Sequence, residues 1–285
     1  MASVIDQVMA HDYAIYHADT VEVAQGLPDE SVHFSVFSPP FESLYTYSNS
    51  DRDMGNSSST DQFWQQYLYL VREQFRVMKP GRIIAIHCMN LPTSKQNDGF
   101  IGIRDFRGEI IRAYQNAGFI YHSEVVIWKD PVVAMQRTKA LGLLHKTIKK
   151  DSAMSRMGIP DTMVMMRKPG DNSEPVSGEF TYYVGTDPAP GFKRHQWDDG
   201  RECWTLQEGS DSTSVDVWQR YASPVWDDIN QTDTLNYREG RDSDDERHIA
   251  PLQLDVIQRC LQLWSNHGEV VWSPFMGIGS EGYMS

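Results

Sequence analysis

The chain has 285 residues, 40% hydrophobic and 23% charged, with a formal net charge of −13. That length can bury a sizeable core in one large domain or two small ones, and the composition is that of an ordinary globular protein. No run of about 18 or more apolar residues occurs, which excludes a membrane-spanning helix, and the total charge argues on its face against nucleic acid as a partner.

The start, "MASVIDQVMAHDYAIYHAD", lacks the basic-then-apolar pattern of a signal peptide. Three scattered cysteines, Cys88, Cys203 and Cys260, give no CxxC pair and no Cys/His ligand spacing. Neither a disulfide framework nor a metal site is expected. A cytoplasmic protein is.

"DYAIYHAD" (residues 12–19) reads as a short strand ending in an acidic residue, followed by a helical turn and loop, "TVEVAQGLPDES". "VHFSVF" is the next strand, and it runs into Ser38-Pro39-Pro40-Phe41. Two consecutive prolines have no N–H to give a ladder, so the strand stops there and presents a stiff loop. "SSSTDQFWQQYLYLVREQFRVMKPG" is a helix with a Ser or Thr cap. Its apolar positions recur at Phe63, Tyr67, Leu70, Val71, Phe75 and Met78, and Pro80-Gly81 is expected to close it. "RIIAIHC" reads as a buried strand, "FRGEIIRAYQNAGF" as a second amphipathic helix, and "IYHSEVVIWK" as another strand. The alternation predicts an α/β sheet with helices on both faces.

Past Lys129 the regularity fails. Residues 129–168 carry nine Lys/Arg against three Asp, whereas residues 198–247 carry fourteen Asp/Glu against five Arg. The first stretch is either a solvated basic face or a local phosphate-binding patch on an acidic body. "DTMVMMRKPG" reads as one more strand within it. Residues 171–247 read as long loops with embedded strands such as "FTYYVG", and Trp197, Trp204, Trp218 and Trp226 as small-core packing. Order returns with "APLQLDVIQRCLQLWSN", an amphipathic helix. "GEVVWSPFMGIGSEGYMS" then gives a strand and a glycine-rich turn. Gly277 and Gly279 serve either a tight turn alone or the close approach of backbone to a ligand, since α/β sheets bind ligands past the carboxyl ends of strands.

The two special strand ends, "SPPF" and "SPFMGIG", together resemble the paired signatures of the S-adenosylmethionine-dependent amino-methyltransferases that modify DNA. The family's catalytic motif, (D/N/S)PP(Y/F), is matched at Ser38, Pro39, Pro40 and Phe41, and its cofactor motif, Phe followed by GxG, at Phe275, Gly277 and Gly279. "HADTVEVAQGLPDESVHFSVFSPPF" resembles the family's lead-in, with Asp19 ahead of the catalytic strand. "HIAPLQLDVIQRCLQLWSNHGEVVWSPFMG" resembles its helix and cofactor strand. The resemblance covers residues 14–129 and 248–282 in the permuted order, catalytic motif first. It implies a Rossmann-like methyltransferase sheet made of a catalytic part (1–129), a variable target-recognition insert (130–247) and a cofactor part (248–285). It also implies S-adenosylmethionine as cofactor and double-stranded DNA as substrate, as in phage or bacterial modification systems.

By the same carry-over, Ser38 and the Pro39 carbonyl would accept hydrogen bonds from an exocyclic amine, and Phe41 would stack on a flipped base. Phe275, Gly277 and Gly279 would flank the methionine part of the cofactor. Asp19 would accept from its adenosine, or cap the following helix, or both. Lys129, Arg137, Lys139, Lys146, Lys149, Lys150 and Arg156 would face phosphates. Serine at the first motif position points to cytosine N4, while the insert style of "PVVAMQRTKALGLLHK" resembles phage adenine enzymes, so N6 of adenine and N4 of cytosine both stay open. Family members continue past the glycine turn with a helix and a further strand. The sheet is therefore expected to have a gap beside the strand at 270–272, with poor order from about Pro274. A homodimer or a complementing chain would meet that edge, and a catalytically impaired DNA-binding remnant is the rival reading. Methylation of RNA or of a protein glutamine is a further alternative.

Overall fold

The computed structural model describes residues 4–42, 52–93, 95–138, 144–187, 190–236 and 251–285. In chain order, β1 (Val4–Met9) and β2 (Ala14–Ala18) lead to α1 (Thr20–Gly26), β3 (Val32–Phe37), α2 (Thr60–Val77) and β4 (Met78–Met89). Next come β5 (Leu91–Thr93), α3 (Lys95–Asp98), β6 (Gly102–Arg104), α4 (Phe106–Asn116), β7 (Ile120–Ile127), α5 (Pro131–Thr138), α6 (His145–Lys150) and β8 (Asp161–Arg167). β9 (Tyr182–Tyr183), β10 (Phe192–Gln196), β11 (Glu202–Leu206), α7 (Ser214–Tyr221) and β12 (Val225–Trp226) follow, then α8 (Leu254–Trp264), β13 (Val271–Trp272) and α9 (Ser280–Met284).

Six strands form the central sheet in the order β12-β7-β8-β4-β3-β13. β13, β3 and β4 run parallel, β12 runs parallel to β7, and β8 lies antiparallel between β4 and β7. Side-chain alternation builds a core on each face. Phe37, Ile84, Ile86, Val164 and Met166 meet Phe63, Tyr67 and Ile110 of α2 and α4 on one side. Phe34, Val36, Ala85, Met163 and Met165 meet Val256, Ile257 and Cys260 of α8 on the other. The predicted α/β sheet with helices on both faces is what forms.

Three expectations change. α2 ends at Val77, before Pro80-Gly81, which instead sit inside β4 where its register against β3 slips. Gly81 takes φ +74 there, a conformation open to glycine. The strand expected over residues 12–19 pairs antiparallel with β1 in a hairpin of its own, apart from the central sheet. Among the described residues β13 therefore pairs with β3 alone, and its other side is an open edge. The residues past Pro274, expected to be poorly ordered, form α9 and bury Ser280, Glu281 and Met284.

The segment 130–247 is not wholly outside the sheet, since β8 is one of its central strands and β12 its edge. The remainder folds as a three-stranded sheet, β10-β11-β9, packed on α7 around Tyr183, Val184, Cys203, Val217 and Tyr221. Trp197 and Trp204 pack against that core, Trp226 is fully buried in the main one, and Trp218 is exposed.

Arg259 of α8 joins this unit to the sheet. Its guanidinium is 0% exposed, donates to the Val184 carbonyl at 2.6 and 3.0 Å, and pairs with Asp228 at 2.9 Å. Removing one member of such a pair leaves a buried charge uncompensated, at roughly 3–5 kcal/mol. Arg259→Ala should lower the unfolding free energy by about that amount in urea titrations. A loss below about 1 kcal/mol would show the pair to be incidental.

Candidate active site

The carboxyl ends of β3 and β13 lie side by side. Trp272 pairs with Ser35, so Ser38 and Phe275, each three residues further on, leave the sheet at one level. Pro39 and Pro40 are buried, while Ser38 and Phe41 are half-buried at the edge. Phe41 packs edge-on against Phe106 with ring centroids 6.0 Å apart. Glu42, just after the motif, adopts φ +51 and is clamped from below. Its buried carboxylate takes Arg104 and the Thr60 hydroxyl, the latter at 3.0 Å. The loop is thus fixed at both ends, by two prolines and by an ion pair.

Phe275 lies against Tyr67, nearly parallel at 6.4 Å, and against Phe37 at 5.9 Å. Beyond it Gly277 takes φ +54 and Gly279 φ +92. Both conformations favour glycine. A Cβ at either would meet nothing within 4 Å, so the backbone here faces open space. A turn with exposed backbone beside an aromatic ring suits a flat, extended ligand. Glu281, two residues on, is 4% exposed, and burial pushes its carboxyl up to about 7.

A second group converges on Ser38 that the motifs did not indicate. The Ser38 hydroxyl lies 2.7 Å from His87 Nδ1, on β4. His87 Nε2 lies 3.0 Å from Asp161 Oδ2, at the start of β8, although the approach is too bent for a well-aligned hydrogen bond. Lys129, just past β7, reaches the same oxygen at 2.5 Å. His87 is 8% and Asp161 2% exposed. Burial raises the Asp161 carboxyl, but His87 and Lys129 outweigh it and hold it below the ordinary carboxylate value. Four strand ends therefore share one edge, bearing Ser38, His87, Asp161 and Lys129. A histidine ending an otherwise apolar strand, "RIIAIHC", was the only sequence signal for this group.

Asp19 caps α1, its Oδ1 accepting from Val21 and Glu22 at 2.9 and 3.1 Å. Lys129 faces Asp161. Lys146, Lys149 and Lys150 are exposed on α6, and Arg156 is half-buried. Lys139 and the side chain of Arg137 lie outside the described residues. At the opposite edge His33, Glu174 and Glu269 approach one another, but Lys79 and Arg82 already neutralise the two carboxylates.

Residues 32–283 match the family profile N6_N4_Mtase, DNA methylase. The chain belongs to this family. A stretch of 67 residues is 31% identical to the type II methyltransferase M.SfiI of Streptomyces fimbriatus, over 24% of this chain and 16% of that protein's length. The fold resembles that of a Thermus thermophilus protein described as a DNA modification methylase and complexed with S-adenosyl-L-methionine. There the TM-score is 0.56 at 20% identity, covering 92% of this chain and 79% of the other. It also resembles the cytosine-N4-specific PvuII DNA methyltransferase, with TM-score 0.55 at 13% identity over 94% and 76% of the two chains.

The buried Glu281 makes the stability of the glycine turn depend on pH. Its folded-state value lies above the ordinary 4.5, so the folded chain holds this proton more tightly than the unfolded one. The stabilisation is full below about pH 4.5 and is lost as pH rises through about 7. Glu281→Gln should flatten the fall in melting temperature across that window, and an unchanged slope would show that this carboxyl does not titrate there.

Proposed function

We propose that this DNA methylase transfers a methyl group from S-adenosylmethionine to an exocyclic amine of a base turned out of double-stranded DNA, N6 of adenine or N4 of cytosine. The observation that carries the reading is the level exit of "SPPF" and "FMGIG" from neighbouring parallel strands, one stiff and acceptor-rich, the other open along its backbone. The glycine turn and Phe275 fit the cofactor, because the positive-φ glycines leave open space where any side chain would stand. When bound there it supplies an electrophilic methyl on sulfur. The acceptors are this chain's part. An exocyclic amine is a poor nucleophile because its lone pair is delocalised into the ring. The Ser38 hydroxyl and Pro39 carbonyl accept its N–H groups, draw the nitrogen toward tetrahedral geometry and hold it for in-line attack. Phe41, half-exposed above Phe106, offers a face for the extruded base, where stacking is worth about 1–3 kcal/mol.

The connection from β7 to β8 rises from this same edge and carries α6. Lys146, Lys149 and Lys150 would face the phosphates. Such contacts position the duplex without reading its sequence. Replacing all three by Ala should reduce the salt dependence of DNA binding by roughly 0.9 per lost phosphate contact.

Labelled S-adenosylmethionine, double-stranded DNA and digestion to nucleosides test the reading and name the base. Labelled N6-methyladenine or N4-methylcytosine is expected. Ser38→Ala should lower turnover by about 10²-fold with cofactor affinity unchanged by calorimetry, since the lost acceptor acts on the amine. Absence of any methylated nucleoside, or loss of cofactor binding in Ser38→Ala, would contradict the assignment.

A further inference from the structure

We propose that His87, held by Asp161, takes up the proton that the methylated amine must lose, acting through the Ser38 hydroxyl. The inference rests on the methyl-transfer reading above and adds a positioning residue that neither strand-end motif contains.

The need for an acceptor follows from electron counting. The amine's lone pair becomes the new N–C bond, and the pair of the broken C–S bond stays on sulfur. The nitrogen is left cationic and must shed one proton. A serine hydroxyl accepts such a proton only while passing its own along, because a protonated alcohol is a very strong acid. Among the described residues, the neighbour of Ser38 Oγ suited to that transfer is His87 Nδ1, at 2.7 Å. The ring's other nitrogen faces the Asp161 carboxylate at 3.0 Å. The two are not aligned for a hydrogen bond, but the carboxylate's charge favours the proton on Nε2, which leaves Nδ1 free to accept. One proton moves from nitrogen to Oγ while the hydroxyl proton moves from Oγ to Nδ1. The base ends neutral, Ser38 is restored, and the imidazolium stands against the buried Asp161 carboxylate until it returns its proton to water.

The surroundings suit this cycle. His87 and Asp161 are both buried, so their mutual attraction is weakly screened. Lys129 shares Asp161 Oδ2 at 2.5 Å and tempers its charge. Among the described residues, the further charged groups acting at this strand end are the Arg107–Glu124 pair, at 2.7 Å, and Asp105 at the start of α4. Arg107 and Glu124 offset one another.

The test measures single-turnover methylation against pH for the wild type, His87→Gln, Asp161→Asn, Ser38→Ala and the Ser38→Ala/His87→Gln double variant. Calorimetry with S-adenosylmethionine and thermal melts run alongside. A protonated His87 cannot accept from Ser38, so the wild-type rate should fall on the acid side. His87→Gln should run about 10²-fold slower, without that acid limb, and bind cofactor as the wild type does. The double variant should be no slower than Ser38→Ala, because residues acting as one unit are not additive. The imidazole ¹⁵N spectrum of the cofactor-free protein should show His87 as the Nε2–H tautomer. A His87→Gln rate within about threefold of wild type, or multiplicative losses in the double variant, would overturn the relay and leave the transferase reading intact. A wild-type protein that methylates no DNA would overturn both. If His87→Gln melts early, Asp161→Asn decides: loss of the rate confirms the chain of contacts, and a wild-type profile refutes it.

Discussion

One topological constraint sets the site: β8 runs antiparallel between β4 and β7. A parallel strand in that slot would bring its last residue, Arg167, to the edge where β3 and β4 end. The antiparallel strand brings its first, Asp161, instead. A buried carboxylate thereby stands behind His87, which in turn stands beside Ser38. The same reversal makes the connection from β7 to β8, which carries the basic α6, start and finish at this edge.

The two motif-bearing strand ends solve opposite problems. At β3 two prolines and the clamped Glu42 remove backbone freedom, as the proposed amine acceptors require. At β13 two positive-φ glycines leave the backbone facing open space, as the proposed cofactor contact requires. Phe275 bridges the two, resting on Phe37 of β3 and Tyr67 of α2, so the glycine turn begins from a packed anchor. The stiff loop at residues 38–41 and the open turn at residues 275–279 lie far apart in the chain, and the pairing of β13 with β3 sets them side by side.

What could be read from the sequence was what short range determines. Ser38-Pro39-Pro40-Phe41 and Phe275-x-Gly277-x-Gly279 identify themselves by residue type, and α2 and α8 by the spacing of their apolar residues. The contact of Ser38 with His87 spans 49 positions and depends on the register of β3 against β4, which no local pattern encodes. Asp161 resembled an ordinary strand-starting acid. Lys129 resembled a phosphate contact because charge counting cannot see a buried partner. The pairing of β1 with β2 was missed because "VIDQVM" has no clean alternation and is exposed on both faces. α7 was missed although Thr213 and Asp216 form a capping box that could have marked it.

The account's central claim is that the glycine turn and the serine-proline loop face one reaction centre. A crystal structure with S-adenosylhomocysteine bound tests it most directly. The account predicts the ligand's methionine portion against Phe275, Gly277 and Gly279, with its sulfur directed at Ser38. A ligand seated elsewhere, or one whose sulfur points away from Ser38, would contradict it.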